Sequence, residues 1–208
     1  MRYRGVLLFG PPGAGKGTQG QILSYVPGLV HVACGDVFRS LSVGSELGRV
    51  FMEYSTRGEL VPDEFTVELW EQHIDRKSLS GEFDPEHDIL VLDGIPRNLA
   101  QARMLTEKLT VLGVVHMVTE DRQALHERIR RRALREGRYD DASEAVIDHR
   151  LKVYEAETAE TLAFYPERII RQVNADRTPL HVLADIASIL DEVADASHEW
   201  ELLDSKRT

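Results

Sequence analysis

The stretch GVLLFGPPGAGKGTQ, residues 5–19, joins a short apolar run directly to a glycine-rich segment that carries one lysine. The apolar run, residues 6–9, is typical of a strand that is covered on both faces of a sheet. A helix beginning near Lys16 would add its N-terminal partial charge and one full positive charge. The segment therefore predicts a site for a chain of phosphates. Four glycines permit the positive φ angles and close backbone approach that such a site needs: Gly10, Gly13, Gly15 and Gly17.

The same segment matches the phosphate-loop pattern Gly-x-x-x-x-Gly-Lys, which begins here at Gly10. It departs from the general pattern at Gly17, where a Ser or Thr usually follows the lysine and binds a metal ion. Thr18 comes one residue later, and we expect it only as a contact to phosphate. An ordinary glycine turn is the alternative, but the order of strand, loop, lysine and helix argues against it.

The composition narrows the class of protein. The chain has 208 residues, a formal net charge of −10 and 42% hydrophobic residues. Such a charge repels nucleic acid and anionic membranes over most of the surface. No apolar run approaches the roughly 18 residues that a membrane span needs, and the single cysteine, Cys34, allows neither a disulfide nor a cysteine cage for zinc. We therefore expect a cytoplasmic protein that does not bind nucleic acid or membranes.

Short apolar runs alternate with helical patterns along the chain, which is typical of an α/β fold with a parallel sheet. We predict one domain over residues 1–208, with five parallel strands flanked by helices. The predicted strands are Gly5–Phe9, Leu29–Ala33, Ile89–Leu92, Val114–Val118 and Ile169–Val173.

Two long segments do not fit minimal strand–helix units, and we expect them to be insertions at one edge of the sheet. The first runs from Gly35 to Asp88 and is mostly helical. The second, residues 131–141, is polar and rich in arginine, and the run from Asp141 to Glu144 resembles a capping box that begins the next helix. The last residues, from Glu192, have little pattern, so we expect a loosely docked tail.

A second candidate site segment is DILVLDGIPRNLAQ, residues 88–101. Asp93 ends a buried strand, where P-loop proteins use a carboxylate to hold Mg²⁺ directly or through water. Arg97 follows beyond the strand end, where ligands of α/β sheets bind, and its guanidinium suits a second phosphate. An Asp that merely caps a turn is the alternative for Asp93.

Seven arginines lie between Arg122 and Arg138. A solvated face or a nucleic-acid surface would explain such a run on composition alone, but the acidic balance of the chain argues against the second. Arginines that close over a phosphoryl group would neutralise the charge that spreads over its oxygens during transfer and would exclude water. We therefore predict a lid.

The blocks GPPGAGKGTQ, ACGDVFR and DGIPRNLAQ together resemble the nucleoside monophosphate kinases, most closely the adenylate kinases. The resemblance covers about residues 5 to 190. It implies a P-loop kinase in which residues 34–63 form the helical insertion that binds the monophosphate, 132–141 form a short lid without zinc, and 193–208 form a tail. It also implies a monomer that binds ATP, AMP and ADP and uses Mg²⁺, with Asp93 acting on the metal through water.

The resemblance assigns a role to each matching residue. The residues implied for ATP are Gly13, Ala14, Gly15, Lys16, Gly17, Thr18, Arg128, Arg132 and Arg177. Those implied for AMP are Cys34, Arg39, Leu60, Val61, Gly94, Arg97, Gln101, Arg138 and Arg150. The residues implied in catalysis are Lys16, Arg97, Arg132, Arg138 and Arg150.

Two residues bear on the identity of the acceptor nucleotide, and they favour different acceptors. Gln101 favours adenine, because its amide donates and accepts at once. Relatives that phosphorylate AMP usually carry Thr or Ser where this chain has Cys34, so a UMP/CMP kinase stays open as an alternative. A nucleotide-binding regulator without turnover is a third possibility, but it would not need Arg39, Arg97 and Gln101 together.

Overall fold

The computed structural model describes residues 2–42, 44–137 and 143–204. The strands are β1 (Tyr3–Phe9), β2 (Leu29–Ala33), β3 (Ile89–Asp93), β4 (Leu109–Val118) and β5 (Ile170–Asn174). The helices are α1 (Lys16–Leu23), α2 (Cys34–Arg39), α3 (Glu46–Ser55), α4 (Asp63–Leu79), α5 (Leu99–Leu105), α6 (Arg122–Glu136), α7 (Glu144–Ala163) and α8 (Pro179–Asp204), and a 3₁₀ turn over Glu167–Ile169 precedes β5.

The five strands form one parallel sheet in the order β2-β3-β1-β4-β5. This confirms the predicted α/β fold. Asp93 pairs with Leu8 of β1 on one side and with Ala33 of β2 on the other. The C-terminal ends of three strands therefore meet at one edge of the sheet, and the loops that follow them surround a common space.

Both faces of the sheet are buried, as the continuous apolar runs predict. Leu7 and Phe9 of β1 belong to one hydrophobic cluster, together with Trp70 of α4. Val6 and Leu8 belong to a second cluster on the opposite face. All four of these β1 side chains are at most 6% exposed, so β1 is a central strand that holds the phosphate loop on a rigid base.

A small third cluster joins α6 to α7. It consists of Leu125, Ile129, Ile147 and Leu151. Leu125 and Ile129 face this cluster at a spacing of four residues, because residues four apart share one helical face. Their burial fixes the rotation of α6, and the arginines on its other faces are oriented with it.

Some boundaries differ from the prediction. β1 begins at Tyr3 and β4 at Leu109, both earlier than expected, because Tyr3 pairs with Leu109 and polar Arg4 pairs with Thr110 at the sheet end. The predicted cap at Asp141 is wrong: α7 is capped by Ser143, whose side chain accepts a hydrogen bond from the Val146 N–H. The predicted tail continues α8 as far as Asp204. In the described part of the chain, no helix has both the length and the apolar character needed to cross a membrane.

Candidate active site

The loop between β1 and α1 has the backbone conformation that the glycines predict. Gly13 and Gly15 have φ angles of 85° and 96°, in the left-handed region that favours glycine. A Cβ at Gly13 would lie 3.0 Å from the Leu125 carbonyl oxygen and 3.1 Å from the Ile129 side chain. Gly13 thus lets the loop pack directly against α6, which brings the arginine-rich helix to the phosphate loop.

The first turn of α1 is open to an anion. Its N-cap, Gly15, provides no side-chain hydrogen bond to the helix, and the first amides of an α-helix have no partner within the helix itself. A helix N-terminus in this condition binds phosphate through its N–H groups and partial positive charge. The start of α1 at Lys16 confirms the position predicted from the sequence.

Lys16 extends over the loop. Its Nζ donates hydrogen bonds to the carbonyl oxygens of Gly10 at 2.6 Å and Pro11 at 3.2 Å. Burial lowers the pKa of Lys16 to about 8, and the guanidinium groups of Arg97 and Arg132 contribute to the lowering, while Asp93 opposes the shift. Phosphate oxygens beside Nζ would favour the charged ammonium and oppose this lowering.

Asp93, at the end of β3, faces the start of α1. A Cβ at Gly17 would lie 3.5 Å from its Oδ2 atom. Mg²⁺ in phosphate sites is held by one or two carboxylates together with water and phosphate oxygens. A single carboxylate beside the phosphate loop fits this requirement. The described residues contain no cluster of three or more His, Cys, Asp and Glu side chains that would hold a metal by themselves.

The loop after β3 carries the second half of the site. Arg97 donates from Nε to the Gly94 carbonyl oxygen at 3.0 Å, which bends its side chain back toward the strand end. The Arg97 N–H donates to Gln101 Oε1 at 2.8 Å. Gln101 is 1% exposed, and its Nε2 donates to Asp63 Oδ1 at 2.8 Å. Both atoms of the Gln101 amide are therefore held in place by the protein.

Other predicted arginines reach the same space from different elements. Arg128 of α6 donates to the Ala175 carbonyl oxygen at 3.2 Å, beyond β5. Arg39 of α2 lies 2.5 Å from Asp36, and Arg177 lies 2.7 Å from Asp185 of α8. Arg39 and Arg177 thus have carboxylate partners, whereas Arg128 is held by a backbone carbonyl.

All of these groups surround one cavity of about 1270 Å³. A typical site for a single small ligand has about 300–1,000 Å³, so the cavity has room for more than one. It brings together every predicted site residue that the structure describes: Gly13, Ala14, Gly15, Lys16, Gly17, Thr18, Cys34, Arg39, Leu60, Val61, Asp93, Gly94, Arg97, Gln101, Arg128, Arg132, Arg150 and Arg177. Arg138 lies outside the described residues.

Sequence reasoning missed several residues at this cavity, among them His31 and Tyr154. His31 of β2 borders it, and its buried Nε2 has no hydrogen-bond partner among the described residues. Burial lowers the pKa of His31. Tyr154 of α7 also borders the cavity. Its hydroxyl oxygen lies 3.3 Å from Nε2 of His116 in β4. Neither residue belongs to a sequence motif.

A phosphate loop on a parallel sheet, facing arginines across a cavity of this size, defines a P-loop phosphotransferase. Comparison with known proteins identifies the group within this class. The family model for adenylate kinase matches residues 8–170. The chain belongs to the adenylate kinase family.

Curated relatives support this over most of the chain, and each is named adenylate kinase. The relative from Thermobifida fusca is 42% identical over 82% of this chain and 89% of its own length. The relative from Kocuria rhizophila is 38% identical over 89% of this chain and 98% of its own length. A third, from Caulobacter vibrioides, is 37% identical over 91% of this chain and 98% of its own length.

Proposed function

We propose that this chain transfers the terminal phosphoryl group of ATP to AMP, reversibly, giving two molecules of ADP. The observation that carries the proposal is the single cavity with the phosphate loop at one end and Arg97, Arg39 and Gln101 at the other. Two nucleotides bound end to end would place their phosphates between these groups. We also propose that the protein works as a monomer, as its resemblance to the adenylate kinases implies.

ATP would bind at the phosphate loop. Its phosphates would accept hydrogen bonds from the amides of residues 13–18, and Lys16 would move its Nζ from the loop carbonyls to phosphate oxygens. The adenine of ATP would lie against the segment after β5, where Ala175 and Arg177 border the cavity. Mg²⁺ bound with ATP would neutralise phosphate charge, and Asp93 would hold it through water.

AMP would bind on the opposite side. Arg39 and Arg97 would hold its phosphate, since a guanidinium makes paired hydrogen bonds to phosphate oxygens. Leu60 and Val61, which precede α4, would contact the base, and Gln101 would make hydrogen bonds with it. Arg39 would exchange Asp36 for the phosphate, so part of the attraction to AMP offsets the loss of that ion pair.

Catalysis would rest on positioning and charge stabilisation. The attacking atom is an oxygen of the AMP phosphate, which is already ionised at neutral pH, so no general base is needed. Lys16, Arg97, Arg132 and Arg150 would surround the transferring group, and we assign Arg138 to the same task. Guanidinium groups fixed before the reaction stabilise the transition state without further reorganisation.

We also propose that two segments close over the bound nucleotides. Residues 34–63 would form the insertion that closes over AMP, and residues 132–141 the short lid that closes over ATP. Closure would keep water from accepting the phosphoryl group, and reopening would limit turnover.

An assay of ADP formation with AMP, UMP, CMP and GMP as acceptors tests the proposed function. We expect ADP from ATP and AMP at a rate far above that of the other acceptors. A preference for UMP or CMP would instead identify a pyrimidine monophosphate kinase, and nucleotide binding without ADP formation would identify a regulator.

The role of Lys16 is tested by Lys16→Met, which removes the charge and keeps much of the side-chain length. We expect a loss in kcat of about 100-fold or more, the size seen when a single transition-state donor is removed. Lys152→Met, at an exposed position of α7, is the matched control and should retain the rate. A normal rate in Lys16→Met would contradict the assignment.

A further inference from the structure

The amide of Gln101 is held in one orientation by two neighbours of opposite hydrogen-bonding character. Its Oε1 accepts from the Arg97 N–H, and its Nε2 donates to the Asp63 carboxylate, each at 2.8 Å. An ionised carboxylate only accepts and a backbone N–H only donates. Turning the amide over would place oxygen against oxygen and N–H against N–H. The protein therefore fixes which end of the amide donates.

Asp63 is itself held in place. It is the first residue of α4, where the partial charge of the helix N-terminus stabilises a carboxylate. Its Oδ1 also accepts a hydrogen bond from Asn98 Nδ2 at 2.9 Å, and Asn98 Oδ1 accepts from the Gln101 N–H at 2.8 Å. Asp63, Asn98 and Gln101 thus form a closed network behind the cavity. Gln101 borders the cavity and Asp63 does not.

Each amide atom of Gln101 has capacity for one more hydrogen bond. An amide nitrogen carries two hydrogens and an amide oxygen two lone pairs, and one of each is used by the network. The remaining donor and acceptor match adenine, which presents a ring-nitrogen acceptor beside the hydrogens of its 6-amino group. Hypoxanthine, guanine and uracil present an N–H donor beside a carbonyl oxygen, so they would need the amide in the opposite orientation.

We propose that Asp63 selects the acceptor base by fixing the orientation of the Gln101 amide, so that the site takes a 6-aminopurine and rejects a 6-oxopurine. Asp63 is a positioning residue in this proposal, because it acts on the base only through Gln101. The inference rests on the proposed function, in which Gln101 makes hydrogen bonds with the acceptor base.

Asp63→Asn tests the proposal with AMP and IMP as competing acceptors. IMP has the size of AMP but carries a carbonyl oxygen at position 6 and an N–H at position 1. For the wild-type chain we expect kcat/KM to favour AMP by about 100-fold or more, because a site with fixed hydrogen-bonding groups rejects an unmatched analogue strongly. The carboxamide introduced by the substitution can donate as well as accept, so it removes one of the two contacts that oppose turning the Gln101 amide. The Arg97 N–H still opposes the turn, and the preference should fall by about tenfold.

Glu64→Gln is the matched control. Glu64 is the next residue of α4, is exposed, and loses the same charge at the same helix end without a contact to Gln101. It should keep the wild-type AMP/IMP ratio. Because both acceptors compete in one reaction, the ratio depends only on folded molecules, so lower stability of Asp63→Asn does not affect it.

The outcomes separate this inference from the proposed function. A fall in the ratio for Asp63→Asn, with the ratio kept in Glu64→Gln, supports the proposal. If both rates fall in Asp63→Asn and the ratio is unchanged, Asp63 has only a structural role and the inference is overturned, while the proposed function stands. A wild-type chain that forms no ADP from ATP and AMP overturns both.

Discussion

Nucleotide binding should raise the pKa of Lys16, so the chain should take up a proton at mildly alkaline pH. Burial lowers the pKa of Lys16 to about 8, with Arg97, Arg132 and Arg150 adding to the shift and Asp93 opposing it. The Nζ atom donates to the carbonyl oxygens of Gly10 and Pro11 in the phosphate loop. A diphosphate beside Nζ reverses the shift, because an opposite charge favours the protonated amine.

The number of protons taken up follows from the titration curve of Lys16. With a pKa of about 8, Lys16 is deprotonated to roughly one tenth near pH 7, one half near pH 8 and nine tenths near pH 9. If bound phosphate returns the pKa to about 10 or above, binding takes up about 0.1, 0.5 and 0.9 protons at these three pH values. The terminal phosphate of ADP is fully ionised at the two higher values, since its second pKa is about 6. The uptake there therefore reports on Lys16.

Calorimetric titration with ADP, without divalent metal and in buffers of different ionisation enthalpy, measures this proton uptake. Lys16→Met should abolish the rise with pH, provided that ADP is raised until the site is saturated. Lys152→Met, on the exposed side of α7, should leave it unchanged. The reasoning is refuted if uptake decreases from about pH 7 to about pH 9, or if it rises equally in Lys16→Met.

Three further predictions concern the protein without nucleotide. The pKa of Lys16 is lower in the folded chain than its ordinary value of 10.5, so the unfolded chain binds more protons between these two pH values. In urea unfolding, the free energy of unfolding of the wild type should therefore rise by about 3 kcal/mol relative to that of Lys16→Met between about pH 8 and about pH 10.5. A Cβ at Gly48 would lie 2.1 Å from the Ser42 carbonyl oxygen, so Gly48→Ala should lower the free energy of unfolding by about 1–2 kcal/mol, despite the better helix propensity of alanine. Gly44→Ala is the control: its Cβ would lie 3.7 Å from the nearest atom, Ser42 Oγ, and the free energy of unfolding should change little. Cys34 is 2% exposed, and burial raises the pKa of its thiol to about 11. Iodoacetamide at about pH 8 should therefore alkylate Cys34 only after the chain unfolds. Rapid alkylation of the native chain would contradict this prediction.

The sequence predicted those features that depend on neighbouring residues. The apolar run of β1, the glycines of the loop and the start of α1 at Lys16 all lie within one short segment, and their local chemistry determines their structure. The cap of α7 was predicted at Asp141, whereas the structure has Ser143 as the N-cap.

The contacts behind the cavity could not be predicted from the sequence pattern. Asp63 and Gln101 are 38 residues apart and meet only because α4 and α5 pack together on one face of the sheet. His31 packs against Gly20, where a Cβ would lie 2.2 Å from the imidazole, because β2 lies at the sheet edge beside α1. Both contacts depend on tertiary packing, which no motif in the chain specifies.

The partners of the cavity cations suggest why an acidic protein binds polyphosphates. Lys16, Arg97 and Arg128 each donate to a backbone carbonyl oxygen, of Gly10, Gly94 and Ala175 respectively. A carbonyl dipole orients a cation without neutralising it, so none of these three contacts cancels positive charge at the site. Arg39, by contrast, is paired with Asp36 and must give up that carboxylate to hold a phosphate. Positive charge at the phosphate loop is thus available before binding. The charge of Arg39, which we assign to the acceptor phosphate, becomes available only when the phosphate replaces Asp36. The net charge of −10 then opposes binding mainly at long range, where salt screens it.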